Sequence, residues 1–184
     1  MPSGVQKKRF VKCLQQGELV AYPTEAVFGL GCDPLNADAV ARLHALKGRA
    51  KGKGFILIAS DFYQIIPYIK PLPDSVLSKI YEPNQQPTTW LLPARETVPK
   101  CLTGGKSTIA IRLVKHGLAK ELCALAGMAI VSTSANLSGS LPLRDAYKAR
   151  IKFQQRGVFT ISGCVGGGLE PSRIIDPFSN KRYR

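Results

Sequence analysis

The sequence predicts an α/β fold, a twisted mixed sheet flanked by helices, and three features of its pattern predict it. Short apolar runs of strand character recur along the 184 residues, each bounded by glycine, proline or polar residues. Segments with helical apolar spacing lie between them, the alternation of an α/β chain. Several links, such as Leu92 to Thr108, are too short for the crossover helix a parallel connection requires, so some neighbouring strands must run antiparallel.

A helix is expected over Val5 to Gln15, followed by a strand at Leu19 to Tyr22. A second helix starts after Asn36 or Asp38, because Val40, Leu43 and Leu46 fall on one face. Phe55 to Ala59 reads as a strand, and Pro73 introduces a helix over Asp74 to Tyr81. Strands follow at Thr89 to Leu92 and Thr108 to Val114, then a helix from His116 to Leu125 that Gly127 ends. Ala129 to Thr133 is a strand, Asp145 to Gln155 a helix closed by Gly157, and Val158 to Ile161 and Ile174 to Ile175 the last strands. With no repeat, low-complexity linker or compositional break, residues 1–184 read as one domain.

Composition restricts the function. Against 12 acidic residues stand 26 basic ones, a net charge of +14, so an anionic partner is expected: nucleic acid, nucleotide phosphates or an anionic membrane surface, with simple solubility as the alternative. No apolar run approaches the roughly 18 residues of a membrane span, and Met1 to Phe10 lacks the apolar centre of a signal peptide. A soluble, cytoplasmic protein without membrane partners is the expectation. Five scattered cysteines without a C-x-x-C pair, and only two histidines, point to reduced thiols and no protein-held metal. His44 reads as a boundary residue of its helix and His116 as a helix cap.

Four stretches carry candidate chemistry. In "VSTSANLSG" (131–139), Ser132, Thr133, Ser134 and Asn136 follow the carboxyl end of a buried strand, where open α/β sheets build ligand sites. Such a Ser-x-Asn turn offers uncharged donors to a phosphate or ribose, or else satisfies only its own backbone. In "LKGRAKGKG" (46–54), Lys47, Arg49, Lys51 and Lys53 alternate; extended, they form a cationic rail suited to an oligophosphate, and otherwise a solvated loop. In "AYPTEAVFGLGCDP" (21–34), Thr24 and Glu25 need polar partners amid apolar company, and Gly29 and Gly31 permit a turn. In "GCVGGGLEPSRIIDP" (163–177), three glycines offer a weak anion nest. The strand "STIAIRL" buries Arg112, whose guanidinium must meet a carboxylate from the protein or a ligand.

These stretches, in this order, resemble the YrdC family, in particular its short bacterial members of the TsaC type. The matching elements are "YPTEAVFGLGCDP" (22–34), Lys47-x-Arg49 with Lys53 following, "TTWLLPA" (88–94), "STIAIR" (107–112), "VSTSANLSG" and "PSRIID" (171–176). The resemblance implies a YrdC-like mixed sheet with a concave cationic surface, and threonylcarbamoyl-AMP synthesis: L-threonine, bicarbonate and ATP give the adenylate and pyrophosphate. The product then serves threonylcarbamoyl-adenosine formation on tRNAs that read ANN codons, through partner proteins that accept it. Lys47, Arg49, Ser134 and Asn136 would be the catalytic set. ATP would meet Lys47, Arg49, Lys53, Thr108, Ser132, Ser134 and Asn136; threonine would meet Thr24, Arg112 and Ser172. Mg²⁺ would accompany ATP, with no organic cofactor. Gly54 stands where relatives usually carry proline, and Gln85-Gln86-Pro87 where Pro-Gly-Pro is usual.

Two other readings compete. One is a non-catalytic RNA-binding or ribosome-maturation module resting on the net charge; direct contact with tRNA or double-stranded RNA is compatible with both this and the enzyme. The other is a hydrolase using Ser134 or Ser138, for which the sequence offers no general base.

Overall fold

The structure is a computed structural model that describes residues 1–50, 52–82, 86–137, 139–168 and 171–184. Lys51 of the expected rail, Gln85 of the Gln85-Gln86-Pro87 run and Ser138 lie outside the described residues. In chain order the elements are α1 (Gly4–Gln15), β1 (Leu19–Pro23), β2 (Phe28–Gly31), α2 (Ala37–Lys47), β3 (Ile56–Ala59), a 3₁₀ helix (Tyr63–Tyr68), α3 (Asp74–Tyr81), β4 (Thr88–Pro93), α4 (Lys100–Thr103), β5 (Thr108–Leu113), α5 (Gly117–Ala126), β6 (Ile130–Ser134), α6 (Ala146–Gln154), β7 (Val158–Thr160) and β8 (Arg173–Ile175).

Local chemistry sets the helix ends. Ser3 and Gln6 form a reciprocal capping box at α1. Asn36 Oδ1 accepts from Ala39 N-H at the start of α2, and Asp145 does the same for Lys148 at α6. His116 Nδ1 accepts from Ala119 N-H, so this histidine is a cap, as the sequence indicated. Gly48 and Gly127 end α2 and α5 in the left-handed conformation.

The eight strands form one sheet in the order β7-β1-β2-β6-β3-β5-β4-β8. Neighbours β1/β7, β3/β5 and β4/β8 are parallel, and the other pairs antiparallel, which makes the sheet mixed as expected. One expectation needs correction. Gly29 and Gly31 do not make a turn; they belong to β2, fully buried between β1 and β6. A Cβ on Gly31 would strike the Val131 carbonyl and the Tyr22 ring, so strand packing rather than turn geometry requires glycine here.

Alternation along the strands divides the core. Leu30, Leu57, Ile111 and Val131 belong to one cluster with Leu43 of α2 and Phe153 of α6. Val20, Tyr22, Ile58 and Ile130 belong to the other, with Phe10 and Leu14 of α1 and Leu122 of α5. Ile56, paired with Ser132, shares the side of Ile58, which pairs with Arg112. The sheet face that α1 and α5 cover therefore continues into a stretch built from Ile56, Arg112, Ser132 and Ser134, and there it opens to a cavity.

Candidate functional site

The cavity has a volume of about 660 Å³, within the range of about 300–1,000 Å³ typical of small-molecule sites. Ser132, Ser134, Arg49 and Ile56 contribute to its lining, together with Thr24, Glu25, Arg112 and Ser172. Its described lining holds four arginines (Arg49, Arg112, Arg144 and Arg184) and one carboxylate, Glu25. An anion entering it meets an excess of fixed positive charge.

The Ser-x-Asn turn is fastened from both sides. Ala135 N-H donates to the Phe28 carbonyl at 2.7 Å, and Phe28 N-H to the Leu143 carbonyl at 2.7 Å, which pins the turn to β2. Ser134 Oγ donates to Asn136 Oδ1 at 2.7 Å, and the Asn136 amide donates to the Ser140 carbonyl at 2.6 Å. Lys47, the last residue of α2 and only 6% exposed, donates from Nζ to Ser134 O (2.7 Å), Asn136 O (2.5 Å) and Asn136 Oδ1 (2.6 Å). All three ammonium protons thus have acceptors. Burial, then neighbouring Arg49 and Lys152, pull the Lys47 pKa down to about 8.

The expected cationic rail does not form. Lys47 is helical, and Gly48 at φ +53° reverses the chain direction immediately after it. Arg49 then folds back on its own loop, donating from Nε to the Lys53 carbonyl and from a terminal nitrogen to the Gly54 carbonyl at 2.6 Å, with its guanidinium 4.9 Å above the Phe55 ring. The cations diverge: Lys47 is buried at the turn, Arg49 lines the cavity and Lys53 is exposed. Lys53 and Thr108 are not among the residues lining the cavity, and Thr108 opens β5 opposite Pro93. Lys47 and Asn136 adjoin it through Ser134.

At the other end, Arg112 meets Glu25, with a nitrogen 3.3 Å from Oε2 and both side chains largely buried. The Glu25 carboxylate also accepts from Lys115 and His116 N-H. Burial pushes its pKa upward, but Arg112 and these donors outweigh that and hold it below the usual carboxylate value. Arg112 Nε is buried without a hydrogen-bond partner among the described residues. The carboxylate that the sequence demanded for Arg112 is therefore a protein one, and the guanidinium still has donor capacity. Thr24 Oγ1 donates to the Val27 carbonyl at 2.8 Å, and Ser172 Oγ shares a 2.8 Å hydrogen bond with buried Thr89.

The glycine run is not an anion nest. Gly166 and Gly168 N-H groups donate to the Thr24 and Glu25 carbonyls, and a Cβ at Gly166 would meet the Glu25 backbone at 2.8 Å. These glycines allow the segment to lie against the end of β1. A hydrolase based on Ser134 also lacks support, since its Oγ points its proton at an amide oxygen that cannot serve as a base. Sequence reasoning missed Arg144, Arg184 and Thr89 at this site. Arg184 Nε donates to the Ser172 carbonyl at 3.1 Å.

Comparison with known proteins identifies relatives that match nearly the whole chain. The Sua5/YciO/YrdC family model, described as Telomere recombination, matches residues 12–184. A Coxiella burnetii (strain RSA 331 / Henzerling II) protein named threonylcarbamoyl-AMP synthase is 44% identical over 174 residues, covering 95% of this chain and 94% of its own length. A Yersinia pestis (strain Pestoides F) protein of the same name is 46% identical over 179 residues, with 95% and 92% covered. P. abyssi Sua5, solved as a complex with L-threonine, superposes with a TM-score of 0.79 at 31% identity. That match covers 92% of this chain and 50% of the P. abyssi protein, so the chain spans half of that protein's length.

Proposed function

The chain belongs to the Sua5/YciO/YrdC family, and from that premise we infer that it forms threonylcarbamoyl-AMP and pyrophosphate from L-threonine, bicarbonate and ATP. The matched names carry this enzyme reading and not the non-catalytic module. The structural observation that supports it is the junction of α2 with the β6 turn. Lys47 holds the Ser134–Asn136 turn beside a cavity that Arg49 and Arg112 both line.

In this reaction the threonine nitrogen bonds to the carbon of carbon dioxide and loses a proton, or bonds to the carbon of bicarbonate while a C–O bond there breaks and the oxygen leaves as water; either route gives a carbamate. A carbamate oxygen then attacks the α-phosphorus of ATP, and the bond from that phosphorus to the bridging oxygen breaks, releasing pyrophosphate. No protein nucleophile is needed, since the task is to bring anions together and to stabilise charge at phosphorus. Arg49 and Arg184 face the phosphates from the cavity wall. Ser132, Ser134 and Asn136 offer uncharged polar groups, and Lys47 both fixes their turn and adds positive charge behind it. Arg112, which lines the cavity, takes the threonine carboxylate, with Thr24 and Ser172 completing that end.

Mg²⁺ enters with ATP as part of the substrate. Among the described residues no three His, Cys, Asp or Glu side chains gather to hold a metal, and the bordering carboxylate, Glu25, is engaged by Arg112. The donor set suits a cation carried by phosphate oxygens. Partner proteins accept the adenylate for transfer to tRNA, and the basic surface adds salt-sensitive RNA affinity. Among the described residues no helix is long and apolar enough to cross a membrane.

The experiment is pyrophosphate release by purified protein given ATP and bicarbonate, with and without L-threonine. Release that requires threonine supports the reading. Release that ignores it, or none at all, removes the reading.

A further inference from the structure

Beyond β8 the chain turns and comes back alongside that strand, and this return brings Arg184 to the cavity wall. Asp176 builds the turn: its carboxylate accepts from Phe178 N-H at 2.9 Å and from Ser179 Oγ at 2.7 Å. Asn180 adopts φ +57°, the left-handed conformation that asparagine tolerates better than most residues. The returning segment pairs with β8 through Tyr183 N-H to the Ile174 carbonyl (2.8 Å) and Ile174 N-H to the Arg184 carbonyl (3.1 Å). Asp176 N-H to the Lys181 carbonyl closes the hairpin.

These bonds tie the tail to β8, a short strand at the edge of the sheet. A separate tie comes from α3. Lys79 Nζ donates to the Pro177 carbonyl and to Asn180 Oδ1, both at 2.8 Å, spanning 98 and 101 residues of sequence. Helix α3 is itself anchored by buried Val76 and Ile80. At the far end of the strap, the Arg184 guanidinium lies in a cavity that it shares with Arg112, and the two cations repel. An anion between them relieves that repulsion.

We propose that Lys79 is a positioning residue for the reaction: by clamping the 176–181 turn to α3 it keeps Arg184 in the cavity wall and so sets the affinity for the anionic nucleotide. Lys79 is not among the residues lining the cavity, so its action passes through the strap. The proposal rests on the reading that this cavity takes ATP.

The test uses the full chain and four variants: Lys79→Met, Lys79→Arg, Asn180→Gly and Arg184→Ala. Asn180→Gly removes one acceptor of the Lys79 ammonium while suiting the positive φ. ATP affinity is measured by calorimetry without threonine, and amide exchange is followed at Tyr183 and Ile174. Lys79→Met should weaken ATP binding about 10-fold and accelerate exchange at both amides, with Asn180→Gly intermediate and Lys79→Arg close to wild type. In turnover, Lys79→Met should raise the KM for ATP by a similar factor while kcat stays within about twofold. In an Arg184→Ala background it should add nothing, because the group it positions is gone. Wild-type ATP affinity in both Lys79→Met and Asn180→Gly overturns the proposal, as does an equal loss with and without Arg184. If ATP binding follows this pattern but threonine-dependent pyrophosphate release is absent, the functional reading fails and the strap stands.

Discussion

The Lys47 ammonium lies 2.6 Å from the Asn136 side-chain oxygen and 2.7 Å from the Ser134 carbonyl, so the end of α2 is hydrogen-bonded to the turn that leaves β6. The contact crosses 89 residues of sequence and brings the two polar stretches to one place. It also gives Lys47 a structural role at the turn. Removing its side chain leaves two carbonyls and an amide oxygen without their shared donor, beside the cavity.

Lys47→Met and Arg49→Ala should each lower threonine-dependent pyrophosphate release by on the order of 100-fold, as expected for a charged contact worth about 3 kcal/mol in the transition state. Steady-state kinetics decides this. Unchanged turnover in both variants would move the site elsewhere.

The depressed pKa of Lys47 predicts an alkaline limb. With the Lys47 ammonium titrating at about 8, kcat/KM for ATP should fall as pH rises through that value, since the neutral amine attracts phosphate poorly. For stability the sign is opposite: a lysine pKa lower in the folded state means that folding becomes more favourable as pH climbs from about 8 towards the ordinary value of 10.5. Lys47→Arg, which remains charged, should lose the limb in kcat/KM. A limb of equal position in that variant would assign it to another group.

Glu25→Gln should destabilise the protein by about 3 kcal/mol, because it strips a largely buried guanidinium of its countercharge. Glu25 has a folded pKa below its ordinary value of 4.5, so its contribution is present above that value and is lost as pH falls through the lower folded pKa. Urea denaturation of wild type and variant should therefore differ most near pH 7 and converge in acid. A constant difference down to the acid limit would exclude the ion pair as its source.

Gly54→Ala should cost roughly 1–3 kcal/mol, the range for overpacking. An added Cβ would come within 2.5 Å of the Leu102 carbonyl oxygen and 2.7 Å of the Thr103 carbonyl carbon, both backbone. Denaturant midpoints measure this, and wild-type stability would mean that α4 yields easily at this point.

Much of the sheet was legible because apolar runs such as Phe55 to Ala59 and Ala129 to Thr133 bury residues on both faces and are bounded by turn residues. β2 was not, because its two glycines look like a turn, and the close approach of Val131 and Tyr22 that requires glycine at Gly31 is a tertiary fact. The residue types of the site were legible, but their geometry was not. Alternation in Lys47 to Lys53 suggests an extended rail only if the backbone stays extended, and Gly48 in the left-handed conformation breaks it. Arg184 and Lys79 were hidden for a different reason: their roles come from a hairpin return and a clamp across the fold, which leave no local pattern.

The most direct measurement is a crystal structure of the protein with a non-hydrolysable ATP analogue and L-threonine. The account predicts the nucleotide phosphates within hydrogen-bonding distance of the Arg49 guanidinium and Ser134 Oγ, with the threonine carboxylate on Arg112. Phosphates lying away from the α2–β6 junction, or threonine bound outside the Arg112 end of the cavity, would contradict it.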